Sequence, residues 1–156
     1  MTQDETVTNE AVKVSTGLPW SESFLVGYEP MDDVHREFVR LVDGLLLCPD
    51  ADLHERLGIF AQHAQAHFAE ERQLMETSQF PGMQCHAREH DAVLASVGEV
   101  LPLVKQGRTD IGRSLAAELA RWFPHHADYM DSSLAQWVVQ QRTGGSPVVF
   151  RCRGST

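Results

Sequence analysis

The sequence predicts an all-α fold, an up-down-up-down bundle of four helices. Apolar residues recur in four successive segments with the spacing of one helix face. Short connections containing proline or glycine separate these segments, and no segment alternates polar and apolar residues as a half-buried strand does. The 156 residues, 42% of them hydrophobic, suffice for one domain with its own core. We expect the bundle to span residues 18–142, between flexible tails at 1–17 and 143–156.

An ordered arm is expected to lead into the bundle. Residues 18–33 are too apolar for a free tail, while Gly27 and Pro30 oppose a long helix there. The arm should pack on the bundle through large apolar side chains, namely Trp20, Phe24, Leu25, Val26 and Tyr28.

The first two helices are predicted over residues 31–47 and 51–77. Asp32 or Asp33 is the expected N-cap of helix one, and Pro49 follows its end. Both inward faces mix apolar and polar residues. They are His35, Phe38, Val42, Leu45 and Leu46 on helix one, and Leu53, Leu57, Phe60, His63 or Ala64, His67, Glu71 and Leu74 on helix two.

Helix three is predicted over about residues 84–106, with Gly107 as its C-terminal stop. Helix four should begin at Thr109 and Asp110, a capping pair, and bend at Pro124. The inward positions again include histidines. They are His86, His90, Val93, Val97, Val100 or Leu101, and Val104 on helix three, and Leu115, Leu119, Trp122, His126, Met130, Leu134 and Trp137 or Val138 on helix four.

Polar residues from all four inward faces are expected to meet at one depth. They are His35, His67, Glu71, His86, His90 and His126. Burying unpaired imidazoles costs about 1–3 kcal/mol each, a sum comparable with the stability of a small domain, and bound metal offsets that cost. Five imidazoles and at least one carboxylate exceed the ligands of one ion, so two ions are expected, and such sites suit iron, zinc, copper or nickel. If two carboxylates and a solvent oxygen bridge the ions, the unequal division of five histidines leaves one open position.

Four motifs resemble those of the hemerythrins, specifically the single-domain bacterial hemerythrin-like proteins, over about residues 18–140. DDVHREF, HFAEE, HAREH and WFPHHADYMD resemble the family's motifs for the first to the fourth helix. The resemblance implies reversible dioxygen binding, end-on at the two-histidine iron of a non-haem pair with an oxo or hydroxo bridge. It also implies that Phe123, at a position that is usually leucine, packs on the oxygen pocket. The ligands that it implies are His86, His90 and His126 on one iron, His35 and His67 on the other, and Glu71 and Asp131 bridging both.

Two of these assignments have rivals. Asp131 follows from the resemblance and not from the spacing, because five residues correspond to about 140° around an ideal helix. A distortion at Pro124 or a π-type turn would re-aim it, and Asp128 is the alternative. Glu70 is the corresponding rival of Glu71.

The other histidines and the cysteines are expected outside the ligand set. His63 is interpreted as a partly exposed residue, with a place beside the ligands as the alternative, and His125 as a surface residue. Cys85 is interpreted as a small buried hydrophobic residue and not as a thiolate ligand. The cysteines are odd in number and form no CxxC pattern, which favours reduced thiols: Cys48, Cys85 and Cys152.

Composition excludes several classes of partner. A net charge of −9 argues against nucleic acid and anionic membranes. The first residues lack the pattern of a signal peptide, and no apolar run approaches the length of a membrane span. We therefore expect a soluble cytoplasmic protein.

Dioxygen storage, delivery or sensing is the predicted function, without enzymatic turnover. The first alternative is a di-iron oxidase or peroxidase acting on dioxygen, hydrogen peroxide or nitric oxide, although the chain lacks the Glu-x-x-His motif of oxygen-activating carboxylate bundles. The others are a metal-binding or storage protein, and a sensor whose tails contact a redox or signalling partner that the sequence does not identify.

Overall fold

The computed structural model describes residues 16–144, which form a bundle of helices without strands. Around the bundle, α1 packs between α2 and α4, and α3 packs between α2 and α4 on the other side. The predicted fold class is confirmed, whereas most of each predicted tail lies outside the described residues. The elements are a 3-10 turn Glu22–Phe24, α1 Glu29–Leu47, α2 Asp50–Thr77, α3 Met83–Lys105, α4 Thr109–His126, a π-helical turn Ala127–Asp131 and α5 Ser132–Arg142.

The predicted N-terminal arm is ordered and packs on the bundle. Phe24 is buried, and its ring meets that of Phe123 edge-on at 5.3 Å between centroids. The backbone N–H of Leu18 donates to Asp43 of α1 at 2.7 Å. Leu25 is the exception among the predicted contacts, since 40% of it is exposed.

Helix α1 begins earlier than predicted, and its cap is different. Tyr28 occupies the N-cap position, and Pro30 lies in the first turn, where a missing N–H costs no hydrogen bond. Asp32 therefore lies inside the helix, where its buried carboxylate accepts a 2.8 Å hydrogen bond from the backbone N–H of Val26. The predicted cap at Asp32 or Asp33 is wrong; Asp32 ties the arm to α1 instead.

The turn between α3 and α4 contains the predicted stop. Gly107 has φ +97°, a conformation that glycine adopts without steric strain. Its N–H donates to Val104 at 2.9 Å, and the N–H of Arg108 donates to Leu103 at 3.0 Å, which satisfies the last carbonyls of α3. The capping pair predicted for α4 is wrong, because Thr109 already lies in the helix and Asp110 pairs with Arg108.

The histidines lie between two apolar clusters. The large cluster includes Phe38, Ala64, Val93 and Phe123, and the small cluster is formed by Val26, Met31, Met75, Ala87, Leu134, Ala135 and Val138. Along α1 the chain runs from the small cluster through His35 to the large one, and along α2 it runs back through His67. Helix α3 runs in the same direction as α1, and α4 runs in the same direction as α2. The four helices therefore alternate in direction, and a single polar layer crosses all of them. None of the helices within residues 16–144 combines the length and apolarity needed to cross a bilayer.

Candidate metal centre

The seven predicted site residues lie together in the polar layer. Each is buried, with 0–5% of its surface exposed. His35 comes from α1, His67 and Glu71 from α2, His86 and His90 from α3, His126 from the end of α4, and Asp131 from the end of the π-helical turn. The helical spacing of four residues places both members of each pair on α2 and α3 on the inward face.

Glu71 presents one carboxylate oxygen to each half of the layer. Its Oε1 lies 2.7 Å from Nε2 of His67 and 3.5 Å from Nε2 of His35. Its Oε2 lies 3.1 Å from Nε2 of His86 and 3.4 Å from Nε2 of His90. This side chain therefore presents one oxygen to His35 and His67 and the other to His86 and His90.

Asp131 repeats this arrangement from the opposite helix. Its Oδ2 lies 3.1 Å from Nε2 of His35. Its Oδ1 lies 3.0 Å from Nε2 of His86 and 3.1 Å from Nε2 of His126. Two carboxylates thus span the same two sets of histidines.

The π-helical turn explains how Asp131 reaches the layer. Its hydrogen bonds join residues five apart, so a residue five positions after His126 returns towards the same face, which a regular α-helix does not allow. Pro124, which has no backbone N–H, lies shortly before the turn. Asp128, the rival, is exposed.

The donor atoms form two unequal groups. Glu71, His86, His90, His126 and Asp131 offer five donor atoms within 4.8 Å of one another, and His35, His67 and Glu71 form a second such group. Counting Oδ2 of Asp131, which lies 3.1 Å from His35, the second group offers four donors. We call these groups the three-histidine half and the two-histidine half.

Hydrogen bonding alone does not satisfy all the donor atoms of the layer. Nε2 of His35 and Oδ1 of Asp131 are buried and make no hydrogen bond within residues 16–144, although both have oppositely charged neighbours about 3 Å away. Nε2 of His90 lies 2.9 Å from Nε2 of His126. The atoms converge on shared space, as ligands of a common ion do, and the set of imidazoles and carboxylates suits iron.

Without metal, the carboxylates hold two of the histidines protonated. Burial lowers the pKa of His35, but Asp131 and Glu71 outweigh burial and raise it to about 10. The same opposition raises the pKa of His86 to about 9. Burial and the neighbouring histidines lower the pKa of His90 to about 3. Burial works against ionisation of Glu71 and Asp131 too, yet their histidine partners lower both carboxyl pKa values below the ordinary range.

Metal-free protein is expected to lose stability between pH 6.5 and 10. In the unfolded chain His35 and His86 deprotonate near pH 6.5, whereas the folded protein keeps both protons until about pH 9 to 10. Their stabilising contribution is thus complete below pH 6.5 and is lost as the pH rises above it. Each histidine then loses at most about 1.4 kcal/mol of unfolding free energy per pH unit. Urea unfolding at pH 6.5 and 9.5 measures the loss. Metal-loaded protein, in which both imidazoles are neutral ligands, is the control and should show little change. Equal stability of the metal-free protein at both pH values would contradict the assignment.

The weaker candidates lie outside the layer. Glu70 and His125 are exposed, as is His54, which none of the four motifs contains. His63 is partly buried, with its ring centroid 5.6 Å from that of His67. The expectation that Cys85 is buried is wrong, because Cys85 faces solvent while its neighbour His86 turns inward.

Glu89 and two aromatic side chains also contact the histidines. Oε2 of Glu89 lies 2.7 Å from Nδ1 of His126, a contact that the sequence analysis missed. The sequence shows only that Glu89 precedes His90. Adjacent residues on a helix point in different directions, so this position alone does not predict a contact with a histidine of the site. Trp122 stacks on His126 at 4.2 Å between ring centroids, and Phe68 stacks on His90 at 3.8 Å. These contacts limit how far the two imidazoles can rotate.

Comparisons with known proteins identify relatives of this chain. The family model described as the hemerythrin HHE cation binding domain matches residues 26–138. A bacteriohemerythrin of Ralstonia nicotianae is 37% identical over 124 residues, which cover 80% of this chain and 90% of that protein. A bacteriohemerythrin of Stenotrophomonas maltophilia is 26% identical, covering 82% and 91%, and a hemerythrin of Themiste dyscrita is 36% identical, covering 46% and 61%. No solved structure matches the chain. The family model and the Ralstonia protein together establish that this chain belongs to the hemerythrin family.

Proposed function

We propose that this protein binds two iron ions in the polar layer and uses them to bind dioxygen reversibly. The observation that carries the proposal is the convergence of seven buried donor residues into two unequal groups. In the proposed assignment Glu71 and Asp131 hold both ions. His86, His90 and His126 complete the three-histidine half, and His35 and His67 complete the two-histidine half.

The inequality of the two halves supports a site for a small ligand. The three-histidine half offers five protein donors and the two-histidine half four. If two ions shared one solvent bridge, the half with fewer protein donors, beside His35 and His67, would have room for one further ligand. The names of the relatives, bacteriohemerythrin and hemerythrin, also support the proposed function.

Aromatic side chains cover the two-histidine half. The ring of Phe123 lies edge-on to His35 at 5.4 Å, and that of Phe38 lies edge-on to His67 at 5.8 Å. Both phenylalanines are almost fully buried. When bound, the iron pair supplies electrons to dioxygen and takes them back on release. The task of the surrounding residues is to exclude water and stray protons, so that dioxygen leaves unchanged.

We propose storage, delivery or sensing of dioxygen without turnover of a substrate. An electron donor that keeps the iron reduced, or a signalling protein, is a further proposed partner. The cytoplasmic location remains a prediction from the sequence.

Oxygen cycling tests the proposed function. Protein loaded anaerobically with ferrous iron should change its visible absorbance when dioxygen is added and return when dioxygen is swept away, over repeated cycles. A single irreversible change, with accumulation of hydrogen peroxide or of an oxidised substrate, would contradict the proposal and favour an oxidase.

Replacing Phe123 with leucine is expected to make oxidation of the bound iron less reversible. The smaller side chain opens space beside His35, which weakens the exclusion of water. The half-life of the reversible state under air, followed by absorbance, should fall severalfold. Phe60→Leu is the matched control, because Phe60 is as buried as Phe123 but its ring packs on Phe38 and not on His35. Both variants should lose roughly 0.5–3 kcal/mol of stability, so equal half-lives would refute a specific role of Phe123.

A further inference from the structure

The contact between Glu89 and His126 joins α3 to α4 at the edge of the polar layer. The distance from Oε2 to Nδ1 is 2.7 Å. An ionised carboxylate has no hydrogen to donate, so Nδ1 of His126 must carry it. In the neutral imidazole the lone pair then lies on Nε2, which is 3.1 Å from Oδ1 of Asp131 and faces the three-histidine half.

This contact distinguishes His126 from other histidines of the layer. Nδ1 of His35, His67 and His86 is buried in each case and makes no hydrogen bond to any described residue. A carboxylate on the outer nitrogen fixes the tautomer and makes the imidazole a stronger donor to metal. The three-histidine half therefore contains one ligand that is more electron-rich than these three.

Two contacts from different directions hold the ring of His126. Trp122 stacks on one face with 22° between the ring planes, which fixes the tilt of the imidazole. Glu89 contacts Nδ1 at the edge of the ring, which opposes rotation of the imidazole. Loss of the carboxylate should free the rotation while the stacking on Trp122 remains.

Glu89 also connects the buried ligand with the surface. Its side chain is 41% exposed, whereas that of His126 is 2% exposed. The carboxylate lies in a surface cleft of about 460 Å³ between α3 and the π-helical turn, lined also by Trp122, His125, Asp128, Tyr129 and Met130. A substitution here alters the outer side of a ligand without removing a large buried side chain.

We infer that Glu89 is a positioning residue of the metal centre, which acts through His126 to strengthen metal binding in the three-histidine half and to favour the oxidised ion there. The inference rests on the proposed iron site. Negative charge on the outer nitrogen stabilises the more positive ion. Glu89 thereby makes the two halves differ in electron demand as well as in the number of donors.

Glu89→Gln tests this inference with little change in shape. Its metal affinity, measured by titration with cobalt(II), should fall 10–100-fold. In the cobalt-loaded protein, the exchangeable N–H proton of His126 should change its NMR shift. In the iron-loaded protein, the midpoint reduction potential should move to a more positive value. Glu89→Asp keeps the carboxylate, so its midpoint potential should lie closer to the wild-type value than that of Glu89→Gln.

Glu118→Gln is the matched control, since Glu118 is an exposed carboxylate on the facing helix α4 and pairs with Arg121. It should leave affinity, NMR shift and potential at the wild-type values. Wild-type values in Glu89→Gln, or equal changes in Glu118→Gln, would overturn the inference while leaving the iron site intact. Failure of the wild-type protein to bind a metal pair would overturn the proposed function and this inference together.

Discussion

Glu71→Gln is expected to abolish binding of the iron pair. Glu71 belongs to both groups of donor atoms, with one oxygen 2.7 Å from His67 and the other 3.1 Å from His86. Glutamine replaces one of these oxygens with an amide nitrogen, which carries hydrogens and does not ligate iron. The loss of affinity should exceed the roughly 10–100-fold loss that follows removal of an outer hydrogen-bond partner.

Iron per chain, counted after anaerobic loading and gel filtration, measures this effect. It should fall from two towards zero while circular dichroism reports an intact bundle. Glu70→Gln is a matched control, because Glu70 is the adjacent residue on α2 and faces solvent. Two tightly bound irons in Glu71→Gln, or an equal loss in Glu70→Gln, would be incompatible with a bridging role for Glu71.

Phe38→Ala is expected to destabilise the protein by about 3–5 kcal/mol. The ring is fully buried, stacks on Phe123 at 5.0 Å and meets Phe60 at 5.2 Å between centroids. Truncation leaves a cavity between His67 and the rings of Phe60 and Phe123. The loss of unfolding free energy is a large part of the 5–15 kcal/mol that stabilises a typical domain.

Urea unfolding of the metal-free protein measures this loss. Ile59→Ala, on the half-exposed surface of α2, is the control and should change stability by about 0.5 kcal/mol or less. If Phe38→Ala does not fold, Phe38→Leu should show a smaller loss in the same direction. If either Phe38 variant lost no more stability than Ile59→Ala, the ring of Phe38 would not be needed for packing beside the site.

Periodicity was sufficient to predict the bundle, because an amphipathic helix repeats the same information over several turns. The bounds of α2 and α3 agree with the prediction within about a residue. Single polar contacts are not repeated in this way. Local sequence therefore predicts a cap at Asp32, because the bond of its carboxylate to the distant Val26 N–H leaves no local signal.

The residues of the site also divide into those that helical spacing predicts and those that it does not. The spacing of four residues placed His67, Glu71, His86 and His90 on inward faces, and the structure brings them together. Asp131 depends on the π-helical turn, which an ideal helical period does not predict. The contact of Glu89 with His126 is not predictable from helical spacing, because it depends on how α3 lies against α4.

The positions of iron in crystals of the loaded protein test the central claim most directly. Anomalous scattering at the iron absorption edge should give two peaks per chain. One should lie at bonding distance from Nε2 of His35 and His67, and the other from Nε2 of His86, His90 and His126, with an oxygen of Glu71 and of Asp131 on each. A single peak, or a pair in which either carboxylate reaches only one ion, would contradict the account.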